Sequence, residues 1–121
     1  MAEEQEAMER GELSIARTDV DGITVLGLRG EIDYESVGAL TRAMPPADPT
    51  AGSRVVVDLS GVTFMDSSGI NALIAAHQVT RAAQGWLRLA GVQDAVLRTV
   101  QLVGLDTLAT CHPTVQDAIA A

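Results

Sequence analysis

Leu13 and Ile15 alternate with Ser14 and Ala16 in a segment that ends near Asp19, the two-residue period of a strand with one face inward. Asp21-Gly22 marks a tight turn, and Ile23 to Leu28 supplies a second strand. The first two strands are therefore expected as a hairpin, with Gly30 breaking the run. Val37, Leu40 and Met44 recur at helical spacing and predict a helix over Tyr34 to Met44, preceded by Asp33 and ended by Pro45, Pro46, Pro49 and Gly52. Val55-Val56-Val57 is a β-branched run that reads as a buried central strand ending at Leu59. Gly61 to Asp66 reads as a connector, and the longest helix follows from Ser67 to Gln84 with Gly85 as its stop. Trp86, Leu87 and Leu89 predict a fourth strand, Gln93 to Val103 a helix stopped by Gly104, Leu108 to Thr110 a short last strand, and Thr114 to Ala120 a final helix after Pro113.

This order of strands and helices implies an α/β fold: a mixed, mostly parallel sheet of four to five strands flanked by about four helices, entered through a hairpin. At 121 residues the chain is long enough for one core. Residues 12–121 are expected to form that one domain behind an acidic flexible leader, residues 1–11, which carries Glu3, Glu4, Glu6 and Glu9 but no apolar core face.

Composition narrows the chemistry. Only one Trp, one Tyr and one Phe are present, so the core is built of Val, Leu, Ile and Ala, and a base-stacking nucleic-acid platform is disfavoured. The net charge of -8 opposes binding to phosphate backbones and anionic membranes. All eight basic residues are arginine. Cys111 is alone, which rules out an internal disulfide and argues against a cysteine-ligated zinc. A reducing cytoplasm is expected, with no transmembrane span and no signal peptide.

One stretch carries the candidate chemistry: the strand Val55-Val56-Val57 leads through Phe64 and Met65 to Asp66-Ser67-Ser68-Gly69-Ile70, which opens the longest helix. Ser67 or Asp66 is suited to be the N-cap, since either side-chain oxygen can accept a first-turn amide hydrogen. If Ser67 is the cap, replacing it with alanine is expected to cost about 0.5–2 kcal/mol. A phosphate on a serine here would also sit at the positive end of the helix dipole without unfolding the helix, and Gly69 is expected to leave the backbone open to an approaching group. Capping and modification both remain open at this point.

Four motifs together resemble the STAS domain, and among its members the anti-sigma-factor antagonists of bacteria. They are Gly30-Glu31-Ile32-Asp33, the Phe64 to Ile70 run, Gly85 before a strand, and Val100 to Leu105 before the last strand. The resemblance spans about residues 12 to 119. It implies that Ser67 is a phosphoacceptor, with Ser68 as second candidate. It also implies a partner-switching cycle: the unphosphorylated form binds an anti-sigma factor that is itself a serine kinase, phosphorylation ends the complex, and a serine phosphatase restores it. The expected contact surface is Asp33, Phe64, Met65, Asp66, Ser67, Ser68, Gly69, Asn71 and Ala75, with Ile70, Leu73, Ile74 and His77 packed inward. Asp33 is expected near Asp66. The protein is expected to be a monomer or weak dimer, without cofactor or metal.

Rival readings are weaker. Ser67 and His77 lie ten positions apart on one helix, roughly 15 Å along its axis, whereas a nucleophile and its base must be within about 3 Å. An enzyme is therefore not expected. His77 is expected to pack, Cys111 to be a small apolar residue, and Asp33, Asp58 and Asp66 to be too dispersed for a cation. A non-switching STAS scaffold subunit of a stress-signalling or transport assembly is the alternative.

Overall fold

The computed structural model describes residues 13–46 and 52–121; the acidic leader and part of the Pro-rich loop lie outside the described residues. Among the described residues five strands and four helices follow the expected order: β1 (Ser14–Val20), β2 (Ile23–Ile32), α1 (Val37–Ala43), β3 (Arg54–Met65), α2 (Ser67–Ala82), β4 (Trp86–Ala90), α3 (Asp94–Leu102), β5 (Cys111–His112) and α4 (Val115–Ala120). A short 3-10 turn, Leu105–Thr107, precedes β5. The sheet order is β1-β2-β3-β4-β5. β1 pairs antiparallel with β2, and every later pair is parallel.

The hairpin turn is built as its sequence demands. Asp21 and Gly22 both take positive φ, 52° and 79°, the geometry that matches the twist of paired strands.

Strand alternation then sorts the core into two layers. Leu26, Leu28, Val55, Val57, Leu59, Leu87 and Leu89 face one way and are covered by Leu40 of α1, Ile70 and Leu73 of α2, and Val96 and Val100 of α3. The opposite face carries Ile23, Val25, Val56 and Ala90, closed by Ala118 with Trp86, Val115 and Ile119 packed around it. Three helices thus share one face and α4 covers the other.

Several boundaries differ from the sequence reading, each for a physical reason. Gly30 does not end β2. It takes φ 111° at a register shift, so the strand bulges and continues to Ile32. The segment Gly61 to Met65 is strand, not connector, because β3 continues beside the extended β2: Gly30 pairs with Val62 and Ile32 with Met65. Gly61 makes this possible, since a Cβ there would lie 2.8 Å from the Leu28 carbonyl oxygen.

Helix α1 is shorter than its apolar spacing suggests because Asp33 to Ser36 form a separate capped turn. Gly85 is not the left-handed stop of α2. Gln84 takes that conformation (φ 62°), while the Gly85 and Gln84 amides donate to the Thr80 (2.7 Å) and Arg81 (3.0 Å) carbonyls. Gly85 is needed for a different reason: any side chain there would collide with the Ser53 backbone. The last strand begins at Cys111 instead of Leu108, because Leu108 and Ala109 are held by hydrogen bonds to the Leu105 carbonyl at 2.9 Å each.

Candidate functional site

The parallel ends of β2 and β3 place the two motif aspartates side by side. Ile32 and Met65 are register partners, and the Asp66 amide donates to the Ile32 carbonyl at 3.1 Å, so Asp33 and Asp66 follow directly from a paired rung. Asp33 was expected near Asp66, and this pairing places it there.

Each aspartate organises a turn. Asp66 is extended (φ -97°, ψ -170°), and its Oδ1 accepts from the Ser68 amide at 2.8 Å. Its carbonyl accepts from Ile70 at 3.2 Å, the first bond inside α2. Asp66 is therefore the N-cap and Ser67 the first helical residue, which settles the alternative left open by the sequence. Asp33 Oδ1 accepts from the Glu35 and Ser36 amides at 3.0 and 2.9 Å. Ser36 reciprocates, its Oγ accepting from the Asp33 amide at 2.9 Å and donating to the Glu31 carbonyl at 2.9 Å. Ser36 was missed by sequence reasoning; its spacing of three residues from an aspartate is the signal that could have found it.

Ser67 is exposed and carries no capping duty. Ser68 is half-buried. Phe64 is 48% exposed and Tyr34 is 82% exposed. Two of the chain's three aromatic residues thus stand in solvent on the segments that carry Asp33 and Ser67. Asn71 and Ala75 are exposed as expected, while Ile70 and Leu73 are buried and Ile74 and His77 half-buried.

Two expectations need correction. Met65, at 6% exposure, and Gly69 are buried and do not contribute to an open surface. Gly69 does not leave the backbone free for an incoming group. A Cβ there would lie 2.6 Å from Met65 Cγ and 2.8 Å from Ile32 Cγ2, so the glycine lets α2 settle onto the ends of β2 and β3.

Among the described residues no cluster of three His, Cys, Asp or Glu side chains could hold a metal ion. Asp58 instead accepts from the Ser60 amide at 3.0 Å. No described helix is long and apolar enough to cross a membrane. Cys111 is half-buried, and burial, followed by the nearby Asp106 charge, raises its thiol pKa above the ordinary value, the opposite of an activated cysteine.

The geometry comprises an exposed serine at the first position of a helix, an aspartate cap beside it and a mixed five-stranded sheet, and the STAS domain model matches residues 14–118 of the chain. The chain belongs to the STAS domain family. It is 28% identical over 96 residues to the anti-sigma-B factor antagonist of Listeria monocytogenes, covering 79% of this chain and 83% of that protein. It is 28% identical over 108 residues to the anti-sigma-F factor antagonist RsfB of Mycobacterium tuberculosis, covering 88% and 87%. The crystal structure of an anti-sigma factor antagonist from Mycobacterium paratuberculosis superposes with a TM-score of 0.70 at 29% identity, covering 91% of this STAS chain and 93% of the other.

Proposed function

We propose that this STAS protein is an anti-sigma-factor antagonist that works by partner switching, with Ser67 as the switch. Unphosphorylated, it binds an anti-sigma factor with serine kinase activity and so releases a sigma factor. Phosphorylation of Ser67 ends the complex, and a serine phosphatase renews it. The chain is the substrate of the kinase, not an enzyme itself, and the cycle runs in the cytoplasm.

The observation that carries this reading is the division of labour between Asp66 and Ser67. Because Asp66 holds the helix cap, the Ser67 hydroxyl is free at the surface. A phosphate added at this first helical position meets unpaired amides and the positive dipole end, so the helix tolerates it. For a bound partner the effect is opposite. The phosphate brings about -1.5 to -2 charges beside Asp66 and close to Asp33, on a surface where the free hydroxyl had been accepted. A desolvated, unmatched dianion at an interface costs several kcal/mol. Phe64, Ser67, Ser68, Asn71 and Ala75 form the contact surface, with Asp33 and Asp66 at its acidic margin. Small side chains at Ser68 and Ala75 allow close approach.

Incubation with candidate serine-kinase anti-sigma factors and ATP, followed by intact-mass and peptide mapping, tests the reading. The expected result is one added phosphate on Ser67. Phosphate found only on Ser68 or a threonine would overturn the assignment. Calorimetric titration should then show Ser67→Ala binding the anti-sigma factor like the unmodified protein and Ser67→Asp binding more weakly. Equal affinity for both variants and the phosphorylated protein would leave Ser67 no switching role.

A further inference from the structure

A second feature lies at the opposite end of α2. Strand β5 is two residues long and pairs only with Leu89 and Ala90. The first half of β4, from Trp86 to Arg88, therefore has β3 on one side and, among the described residues, no strand on the other. The Leu89 and Gly91 amides point toward β5, donating to Thr110 and His112 carbonyls at 2.9 Å each. By the two-residue alternation of a strand, the Leu87 amide points the same way, past the end of β5.

A cleft of about 300 Å³ opens at that uncovered edge. His77 and Arg81 reach it from α2, Trp86 and Arg88 from β4, Thr110 from just before β5 and His112 from β5 itself. His77 and Arg81 are one helical turn apart, so they share a face. In a chain of net charge -8, this one cleft gathers both histidines and two of the eight arginines. Among the described residues no Asp or Glu side chain lines it, and Ala121 borders one side.

The donors are partly held in place. Arg88 stacks on the Trp86 ring, 3.6 Å from its centroid, and spends one N–H on the Ala118 carbonyl at 2.9 Å. Its remaining N–H groups are fixed in direction by those two contacts. The His112 Nε2 lies 2.8 Å from Thr110 Oγ1. The His77 Nδ1 is shielded from solvent and has no hydrogen-bonding partner among the described residues, which is uncommon for a buried polar atom. A C-terminal arginine on a helix is ordinary complementation of the dipole, but that accounts for Arg81 alone.

Guanidinium groups, imidazoles, a hydroxyl and a strand amide line this sheet-edge cleft, from α2 on one face and β4 on the other, with no Asp or Glu side chain from the described residues, a set of donors suited to a tetrahedral oxyanion. We propose that this cleft binds phosphate, either as free inorganic phosphate or as the phosphomonoester end of a small molecule. It is separate from the Ser67 surface and does not depend on the partner-switching reading.

Trp86 is the only tryptophan, so its fluorescence reports on the cleft. Titration with inorganic phosphate at constant ionic strength should give a saturable change that sodium chloride does not give. Phenyl phosphate should saturate at the same concentration if free phosphate is the ligand, and at a lower one if a monoester is. Loss of a charge-assisted hydrogen bond weakens binding about tenfold or more, so Arg81→Gln and His112→Gln should each raise the Kd by that factor, while Arg98→Gln on α3 should not. Both variants alter solvent-accessible side chains, and thermal melts establish that each is folded. A linear response shared with chloride overturns the proposal. So does an unchanged Kd in folded His112→Gln or Arg81→Gln.

Discussion

At the scale of single residues, Asp66 and Ser67 divide what looked like one job, and the division is measurable. Ser67→Ala should change stability by less than about 0.5 kcal/mol, because the side chain is exposed and caps nothing. The larger cost expected of a capping serine belongs instead to Asp66→Ala, at about 0.5–2 kcal/mol. Ser67→Asp should be neutral or slightly stabilising, since an acid in the first turn suits the dipole. Urea melts of the three variants check this; a Ser67→Ala loss equal to that of Asp66→Ala would return the cap to serine. Cys111 gives a second, pH-dependent prediction. Its thiol pKa is raised in the folded state, so the folded protein holds that proton to higher pH than the unfolded chain. The favourable contribution is complete below the unfolded thiol's pKa and is lost as pH rises through the folded one. Cys111→Ala should therefore flatten the fall in stability on the alkaline side, as followed by melts over that range. The capping choice between the two neighbours was illegible in the sequence, because both residue types cap well and only the extended backbone at Asp66 decides between them.

Elements were legible where a single periodicity ran unbroken. The β-branched run of β3, the Asp21-Gly22 hairpin and the inward face of α2 all stand where their residues place them. Several of the failures share a cause: glycine was read as punctuation, or at Gly69 as open backbone, where it permits close approach or a bulge. Gly30 and Gly61 continue a strand pair, Gly69 seats a helix, and Gly85 clears the Ser53 backbone. This has consequences for substitution. Gln84 holds a left-handed conformation at the end of α2, which costs a non-glycine residue about 1–2 kcal/mol. Gln84→Gly should relieve that strain and, after the entropy lost by glycine, raise stability by about 0.5–1 kcal/mol. Gly85→Ala, one position on, should be among the most damaging changes in the molecule, because backbone, not a movable side chain, occupies the space. Thermal melts of this adjacent pair distinguish a conformational role from a steric one, and equal effects would refute it.

Across the whole molecule, protection from solvent is uneven. Val55, Val56, Val57 and Leu59 have 0% exposure at the centre of the sheet, whereas β1 is an edge strand with mostly exposed side chains and β5 holds two residues. Amide hydrogen exchange should be slowest in β3 and its neighbours and fastest in β5 and the outer half of β1; comparable protection of β5 and β3 would contradict this ordering. The α/β class and mixed sheet were legible from element order alone, while the cleft beside β4 was not, since it depends on how far β5 extends. The sheet order has a further consequence. Because spatial order repeats chain order, each strand emerging from the ribosome finds its neighbour already synthesised. The final segment, Cys111 to Ala120, adds one short strand and one short helix to a sheet whose other four strands precede it. Assembly can thus proceed in the direction of translation, with no early strand left waiting for a late one.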